Sequence, residues 1–238
     1  FIEYIPGTLP LVFGAPHGGY ESPKDLPDLD EPHSNDSNTQ ETTRDTAEHL
    51  LAQTGQRPHI IINHLHPSKL NPARDKKTAA GSDPRSQLAF DEFHAFIEVA
   101  KAQIEADWGA GHYIDVHTNG HAEGWIEVGL GIPGSQLNED DATLGTRCSQ
   151  STVAWLCSEG GADFVEVVRG ETSLGGLLLA QGHLSVPSPD LPGPGDGGFF
   201  YAGWNTWEHG SNSDGSIDAT HLETHWSFMV DSAREDYS

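Results

Sequence analysis

Short apolar runs alternate along this chain with longer segments of helical periodicity, and this alternation constrains the fold more than any other feature. The patterns predict strands at 10–15, 59–66, 112–118, 124–131, 164–170 and 217–230, and helices at 42–53, 86–108, 141–158 and 173–181. Strands that alternate with helices are typical of an α/β fold with a largely parallel sheet. We therefore expect a single domain over residues 1–238, with a mostly parallel mixed sheet flanked by helices.

The charge of the chain limits its partners. Thirty-six acidic residues oppose twelve basic ones, which gives a formal net charge of −24. Such a field repels nucleic acids and anionic membranes, so we expect neither as a partner. No apolar run reaches the roughly 18 residues of a membrane-spanning helix. We expect a monomer that acts on a small molecule, a peptide or a polymer.

The two cysteines, Cys148 and Cys157, bear on the compartment of the protein. Their spacing of nine permits a short-loop disulfide, and two buried thiols are the alternative. A cysteine pair in an acidic, lysine-poor chain favours an oxidising compartment. The sequence begins at Phe1 without a methionine or a charged and apolar leader, which favours removal of a signal segment. We therefore expect a secreted protein.

Polar side chains lie where the predicted strands end. His17 follows the first strand in the stretch LVFGAPHGGY, and Glu223 lies in the last strand. The stretch DVHTNGH, at 115–121, ends the strand at 112–118. Sites in open α/β sheets form outside the carboxyl ends of the strands. Fourteen histidines in an acidic chain favour a metal site at this edge.

The Asp115-Val-His117 unit has the spacing of a supported metal ligand. Asp115 and His117 share one face of a strand, and a carboxylate can hold a metal-bound imidazole by its second nitrogen. Two histidines and one carboxylate with an open fourth position make a catalytic zinc site. We expect Gly18 and Gly19, next to His17, to keep the space beside the metal clear for water and substrate.

Five short motifs occur in a fixed order along the chain: HGG at 17–19, DSNT at 36–39, LNPAR at 70–74, DVHTNGH at 115–121 and HLETHW at 221–226. Together they resemble the N-formylglutamate amidohydrolases and the related phage poly-γ-glutamate hydrolases. Both groups belong to the wider zinc-carboxypeptidase fold. The resemblance implies that fold, one zinc ion and hydrolysis of an amide or peptide-like bond.

The resemblance also implies the imidazole ligands. His17 is the first zinc ligand and His117 the second, with Asp115 as the partner behind His117. His121 is expected to contact the substrate or to reach a further ligand position.

The acidic ligand has three candidates. The phage hydrolases have a Glu three residues before a Thr, and Asp36 stands three residues before Thr39, so Asp36 is preferred. Glu21 exceeds the carboxypeptidase His-x-x-Glu spacing by one residue, and Glu41 is the third choice. The glycosylation sequon at Asn35 would place a glycan beside Asp36, so either Asn35 is unmodified, or the sugar lies at the rim of the cleft, or Asp36 is not the ligand.

Two further residues take catalytic roles from the resemblance. Arg74 occupies the last position of an Asp-x-Asn-Arg motif that reads Asn71-Pro-Ala-Arg74 in this chain, and it can bind a substrate carboxylate bidentately. Asn71 is expected behind the metal or at the substrate. Glu223 is expected to take a proton from water and return it to the leaving amine.

These expectations define a secreted, zinc-dependent hydrolase that cleaves an amide bond near a carboxylate, in an N-acyl amino acid or a γ-glutamyl peptide. A metal-dependent polysaccharide deacetylase or esterase is the alternative, with Trp204 and Trp207 of the long loop at 187–216 as sugar platforms. The third possibility is a secreted protein that binds carbohydrate or metal without turnover.

Overall fold

The sheet of the protein sets the position of every candidate site residue. The computed structural model describes residues 1–212 and 215–228, and within these ranges the chain forms one seven-stranded sheet. The strands are β1 (Ile2–Ile5), β2 (Leu11–Ala15), β3 (His59–Asn63), β4 (Gly111–Asn119), β5 (Ile126–Gly129), β6 (Ser185–Val186) and β7 (Ile217–His225).

The strand order is β1-β3-β2-β4-β7-β5-β6. The four central strands, β3, β2, β4 and β7, run parallel to one another. β1 pairs antiparallel with β3, and β5 pairs antiparallel with β7, while β6 is parallel to β5. The prediction of an α/β fold with a mostly parallel mixed sheet is therefore confirmed.

Helices connect the strands and cover both faces of the sheet. They are α1 (Thr39–Thr54), α2 (Lys76–Ala80), α3 (Pro84–Trp108), α4 (Gly134–Leu137), α5 (Asp141–Leu144), α6 (Ala154–Ser158), α7 (Phe164–Arg169), α8 (Leu174–Ala180) and α9 (Trp204–His209). Two 3₁₀ helices span Gly145–Gln150 and Trp226–Phe228. In the described part of the chain, no helix has the length and apolarity to cross a membrane.

The long helix α3 is specified by its ends and its apolar face. Asp83 caps it by accepting a hydrogen bond from the backbone N–H of Arg85, and Pro84 occupies the first turn. Gly109, with φ of 80°, ends it in the left-handed region. Phe93 and Ile97 are fully buried on one face of the sheet, and each such side chain contributes roughly 1.5–3 kcal/mol by burial.

The opposite face of the sheet carries two further apolar clusters. Ala47 of α1 packs against Ile60 and Ile62 of β3. The region from β5 to α8 builds the second cluster, which contains Val128, Leu130, Ile132, Leu137, Leu144, Val153, Phe164 and Val168. The helices on both faces leave the carboxyl ends of the parallel strands for the site, which the following residues form.

A glycine in β2 makes room for a tyrosine that reaches the site. A Cβ atom on Gly14 would lie 2.5 Å from the hydroxyl oxygen of Tyr113 in β4. The fully buried Tyr113 ring therefore crosses β2 at a position where no side chain can stand. Its hydroxyl donates a hydrogen bond of 2.7 Å to Asp115.

The prediction of a strand at 164–170 is wrong, because this segment is helix α7. Asp163 caps the helix by accepting from the backbone N–H of Val165. Phe164 and Val168, four residues apart, are both buried, as one helical face requires. The β-branched composition that favoured a strand is outweighed by the cap and by this packing.

Other boundaries also differ from the prediction. The segment at 141–158 is broken into α5, a 3₁₀ helix and α6, and the edge strand β1 and helix α9 had no clear signal. The strand predicted to end at 230 ends at His225 as β7. Residues 229 and 230 lie outside the described residues, as does the rest of the predicted domain to residue 238.

The predicted disulfide is confirmed. Cys148 and Cys157 are bonded, with their Cα atoms 6.5 Å apart, and both pack against the second apolar cluster on the β5 side. The bond ties the 3₁₀ helix at Gly145–Gln150 to α6.

We expect the double substitution Cys148→Ser and Cys157→Ser to lower the free energy of unfolding by about 2–3 kcal/mol, because it frees a short loop in the unfolded chain. Denaturant unfolding measures the loss, and reduction of the unsubstituted protein serves as the matched control. A loss below about 0.5 kcal/mol would show that the cross-link does not constrain the unfolded chain.

Candidate metal site

The candidate residues meet in a cleft at the carboxyl edge of the parallel strands. The cleft has a volume of about 530 Å³. Its walls include six of the predicted site residues: His17, Asp36, Arg74, His117, His121 and Glu223. Asn71 also lines it, and Asp115 lies buried beneath His117.

Two imidazoles converge on one oxygen atom of Asp36. Nδ1 of His17 lies 3.0 Å from Oδ2 of Asp36, and Nδ1 of His117 lies 2.9 Å from the same oxygen. His17 follows β2, and His117 lies in β4 beside it, so the parallel pairing of these strands brings the rings together. All three side chains are buried.

The other nitrogen of each ring is also held by an acceptor. Nε2 of His17 lies 2.8 Å from Oδ1 of Asn71, an oxygen that also accepts from the backbone N–H of Ala73. Nε2 of His117 lies 3.0 Å from Oδ2 of Asp115. Each Nε2–H therefore has an acceptor, and Nδ1 of each ring lies within 3.0 Å of the same oxygen of Asp36.

Asp115 anchors this arrangement from below. It is fully buried and accepts hydrogen bonds from the Tyr113 hydroxyl and from Nδ2 of Asn205, at 2.7 and 3.1 Å. Burial alone raises the pKa of this carboxyl, but the neighbouring His117 outweighs it and holds the pKa well below its usual range. Asp115 is therefore an anion.

The charged groups of the site favour a cation at the two imidazoles. Burial lowers the pKa of His117, yet the carboxylates of Asp115 and Asp36 outweigh it and raise that pKa well above its usual value. Burial raises the pKa of Asp36, and the hydrogen bonds from His117 and His17 lower it by more. The buried carboxylates thus stabilise positive charge at the rings, whether it comes from protons or from a metal ion.

Two sets of three side chains place their ligand atoms within 4.8 Å of one another in the described residues. One set is His17, His33 and Asp36, and the other is Asp115, His117 and His221. The predicted ligands come from both sets, and Asp36 joins them by its hydrogen bonds to His17 and His117.

Asp36 has a different environment from its two rivals. The side chains of Glu21 and Glu41 are exposed, whereas Asp36 is buried between the two imidazoles. The amide of the neighbouring Asn35 is also occupied. Its Oδ1 accepts from the backbone N–H of Gly18, and its Nδ2 donates to the carbonyl of Gly19. Both polar atoms of the Asn35 amide therefore support the chain just after His17.

The expectation that Gly18 and Gly19 clear space for water and substrate is wrong. A Cβ on Gly18, whose φ is 89°, would lie 2.2 Å from Oγ1 of Thr39, and one on Gly19 would lie 2.2 Å from the carbonyl oxygen of Leu65. The two glycines let the chain after His17 pack closely against the start of α1 and the end of β3.

Glu223 lines the cleft, and one of its two carboxylate oxygens is unpaired among the described residues. Its Oε1 accepts from Nε2 of His221 at 2.9 Å, while its buried Oε2 has no hydrogen-bond partner among the described residues. Nδ1 of His221 lies 3.7 Å from Asp115, too far for a hydrogen bond. Glu223 is thus oriented by one oxygen and keeps the other available.

Arg74 lies at the rim of the cleft, and its side chain is exposed. It approaches Glu31 at 3.4 Å, a weak contact for an exposed ion pair. Arg74 is therefore available to a negatively charged group that enters the cleft.

The tryptophans of the long loop do not line the cleft. Trp204 packs against Phe90 and His94 of α3, with ring centroids 6.1 and 5.1 Å apart. Trp207 lies near Gly131, on another side of α9. The aromatic residue that this loop does place at the cleft is Phe200.

Three residues of the site were not singled out from the sequence. His221 stands two residues before Glu223 in HLETHW, and strand alternation places both on one face, so a signal was present. Glu127 is a lone acid within the apolar run GWIEVGLG, which is also a signal. The ring of His33 stacks on that of His17, with ring centroids 4.6 Å apart. His33 lies in a loop whose sequence has no helix or strand periodicity.

The fold and site define an α/β protein with a candidate metal site at the carboxyl edge of its sheet. No model of a known protein family matches the sequence, and no curated protein does. The fold is similar to the crystal structure of N-formylglutamate amidohydrolase from Ralstonia eutropha JMP134, with a TM-score of 0.50 and 12% identity. The match covers 94% of this chain and 85% of that chain. At this identity, the likeness shows a shared fold.

We expect Gly18→Ala to lower the free energy of unfolding by about 1–3 kcal/mol more than Gly182→Ala does, because only the first substitution forces a methyl group into a packed neighbour. The two glycines have nearly equal φ values, 89° and 88°, but Gly182 has open space at its Cβ. Both variants therefore share the backbone strain, and denaturant unfolding isolates the packing. Equal losses would contradict the close contact with Thr39.

Proposed function

We propose that this protein is a zinc-dependent amidohydrolase that cleaves an amide or peptide-like bond near a carboxylate. One observation carries the proposal: Nδ1 of His17 and Nδ1 of His117 meet at Oδ2 of Asp36, and an acceptor holds Nε2 of each ring. The similarity of the fold to a solved amidohydrolase supports the reaction class.

The donor set fits zinc. Two imidazole nitrogens and one carboxylate oxygen are a common set of protein ligands for catalytic zinc, and they leave a fourth position open. Asn71 and Asp115 would fix the tautomer of each ring, as partners behind metal ligands do. When bound, zinc polarises a carbonyl group and makes a water molecule more acidic.

Glu223 is the group that moves protons in this proposal. Its unpaired Oε2 accepts a proton from the attacking water, while the hydrogen bond from His221 to Oε1 keeps the carboxylate oriented. The low exposure of the residue excludes bulk water from that oxygen.

Arg74 selects the substrate. A guanidinium at the rim of a cleft whose walls are otherwise rich in carboxylates and imidazoles attracts a carboxylate of the substrate. N-acyl amino acids and γ-glutamyl peptides carry such a group near an amide bond. The disulfide is compatible with secretion, and we include secretion, a monomeric state and the absence of nucleic-acid or membrane partners in the proposal.

We expect protein purified without added metal to contain about one zinc per chain, and His117→Ala to lose it. Metal analysis by mass spectrometry measures the content, and His49→Ala, on the exposed side of α1, is the matched control. The metal-loaded protein is then tested on N-acyl amino acids, γ-glutamyl peptides and acylated sugars. Absence of stoichiometric metal rejects the zinc site, and hydrolysis of acylated sugars alone rejects the amide substrate.

We expect Glu223→Gln to lower kcat by about 100-fold to 10,000-fold, because the amide cannot accept the proton of the attacking water. The zinc content should remain that of the unsubstituted protein. Glu159→Gln, at an exposed position, is the control for loss of a single acidic charge. Activity that survives Glu223→Gln would assign the role of general base to another group.

A further inference from the structure

A buried carboxylate lies behind a cleft histidine that the mechanism above does not use. Glu127 in β5 is fully buried and stands directly opposite Glu223 of β7 in the antiparallel register. Its Oε1 lies 2.6 Å from Nδ1 of His121, and its Oε2 accepts from the backbone N–H of Phe200 at 2.6 Å. Both oxygens of Glu127 are therefore committed to fixed donors.

The ring of His121 is packed closely by two neighbours, the Phe200 ring and the backbone at Gly198. The Phe200 ring stacks on it with centroids 4.7 Å apart and planes 23° apart. The backbone at Gly198 passes so close that a Cβ there would lie 2.5 Å from Cγ of His121. The backbone N–H of His121 donates to Oδ1 of Asn119. An exposed surface histidine needs none of these contacts.

The remaining ring nitrogen, Nε2, is the one not engaged by Glu127. Within residues 1–212 and 215–228, no hydrogen bond reaches Nε2 of His121, although the side chain lines the same cleft as Glu223. With Nδ1–H directed at Glu127, a second proton on Nε2 gives a pair of opposite charges with no net charge. The arrangement is that of an imidazole oriented by a carboxylate, which is the common form of a proton-transfer group.

We propose that His121 is a catalytic residue that donates the proton from its Nε2 to the leaving amine, and that Glu127 is its positioning residue. The inference rests on the proposed function, because it assigns a role within amide hydrolysis. Water adds its oxygen to the acyl carbon and gives a proton to Glu223. The C–N bond breaks as the amine nitrogen takes the proton from His121. The proton on Glu223 then returns to neutral His121, which restores the starting charges of both groups.

The separate roles of Glu223 and His121 follow from the positions of their side chains. Oε2 of Glu223 is deeply buried, whereas His121 is part-exposed at the wall of the cleft, where a leaving amine departs to solvent. Because one group takes the proton from water and another protonates the leaving amine, the buried Glu223 side chain does not have to move between these two steps.

The test compares two γ-glutamyl amides that differ in their leaving amine. γ-L-Glutamyl ethylamide releases a basic alkylamine that must be protonated as the bond breaks, whereas γ-L-glutamyl 4-nitroanilide releases a weakly basic aniline. We expect His121→Ala to lower kcat on the ethylamide by about 100-fold or more, and on the nitroanilide by less than about 10-fold. Added imidazole should restore part of the ethylamide activity. His49→Ala should lower neither rate.

Glu127→Gln tests the positioning role. A glutamine has one oxygen, so it cannot accept from both His121 and Phe200, and it should show the same selective loss with a smaller magnitude. Equal loss on both substrates, or a rise in KM alone, overturns the proton-donor role while the hydrolase remains. If the unsubstituted, zinc-loaded protein cleaves neither amide, the proposed function on this substrate class fails, and the inference fails with it.

Discussion

The parallel pairing of β4 and β7 is the constraint on which the site depends. It runs over nine residues on each strand and sets Asp115 beside His221 and His117 beside Glu223. Because alternate residues of a strand share one face, these four side chains stand on the same side of the sheet as Tyr113 and α3. A shift of one residue would send all four to the opposite face, against the apolar cluster beneath α6 to α8.

A second layer of contacts converts this alignment into a site. Oδ2 of Asp36, in the loop before α1, lies within 3.0 Å of Nδ1 of His17, just after β2, and of Nδ1 of His117, in β4. Asn71, from the loop after β3, completes the support of His17. The site therefore draws on two connections, from β2 to α1 and from β3 to α2, and the strands supply the fixed reference to which the loops attach.

Much of the fold was predictable because its signals are local. Helix α3 has a cap, an apolar face and a terminal glycine within its own sequence, and the buried strand β3 has its run of isoleucines. Helix α7 was mistaken for a strand because its valines favour strands, and only packing around Phe164 and Val168 decides the matter. The edge strand β1 is half-buried and has a weak pattern.

In the candidate site, too, some contacts were predictable from the sequence and others were not. The spacing of Asp115 and His117 predicted that both lie on one face of a strand. The position of Asp36, three residues before Thr39, favoured it as the acidic ligand. The stacking of His33 on His17 and the contacts of Phe200 with Glu127 and His121 could not be predicted, since they join residues far apart in the chain. The expectation that the glycines after His17 clear space for substrate was wrong, because the neighbours they accommodate, Thr39 and Leu65, are also far from them in the sequence.

The contact between Gly14 and Tyr113 has a consequence for how sequences of this fold can diverge. The ring of Tyr113 occupies the volume that any side chain at position 14 would need, and its hydroxyl supports Asp115. The two positions therefore have to change together: a larger residue at 14 requires a smaller one at 113, and the support of Asp115 must then come from elsewhere. In a set of homologous sequences, we expect these two positions to covary with each other and with Asn205, the other donor to Asp115.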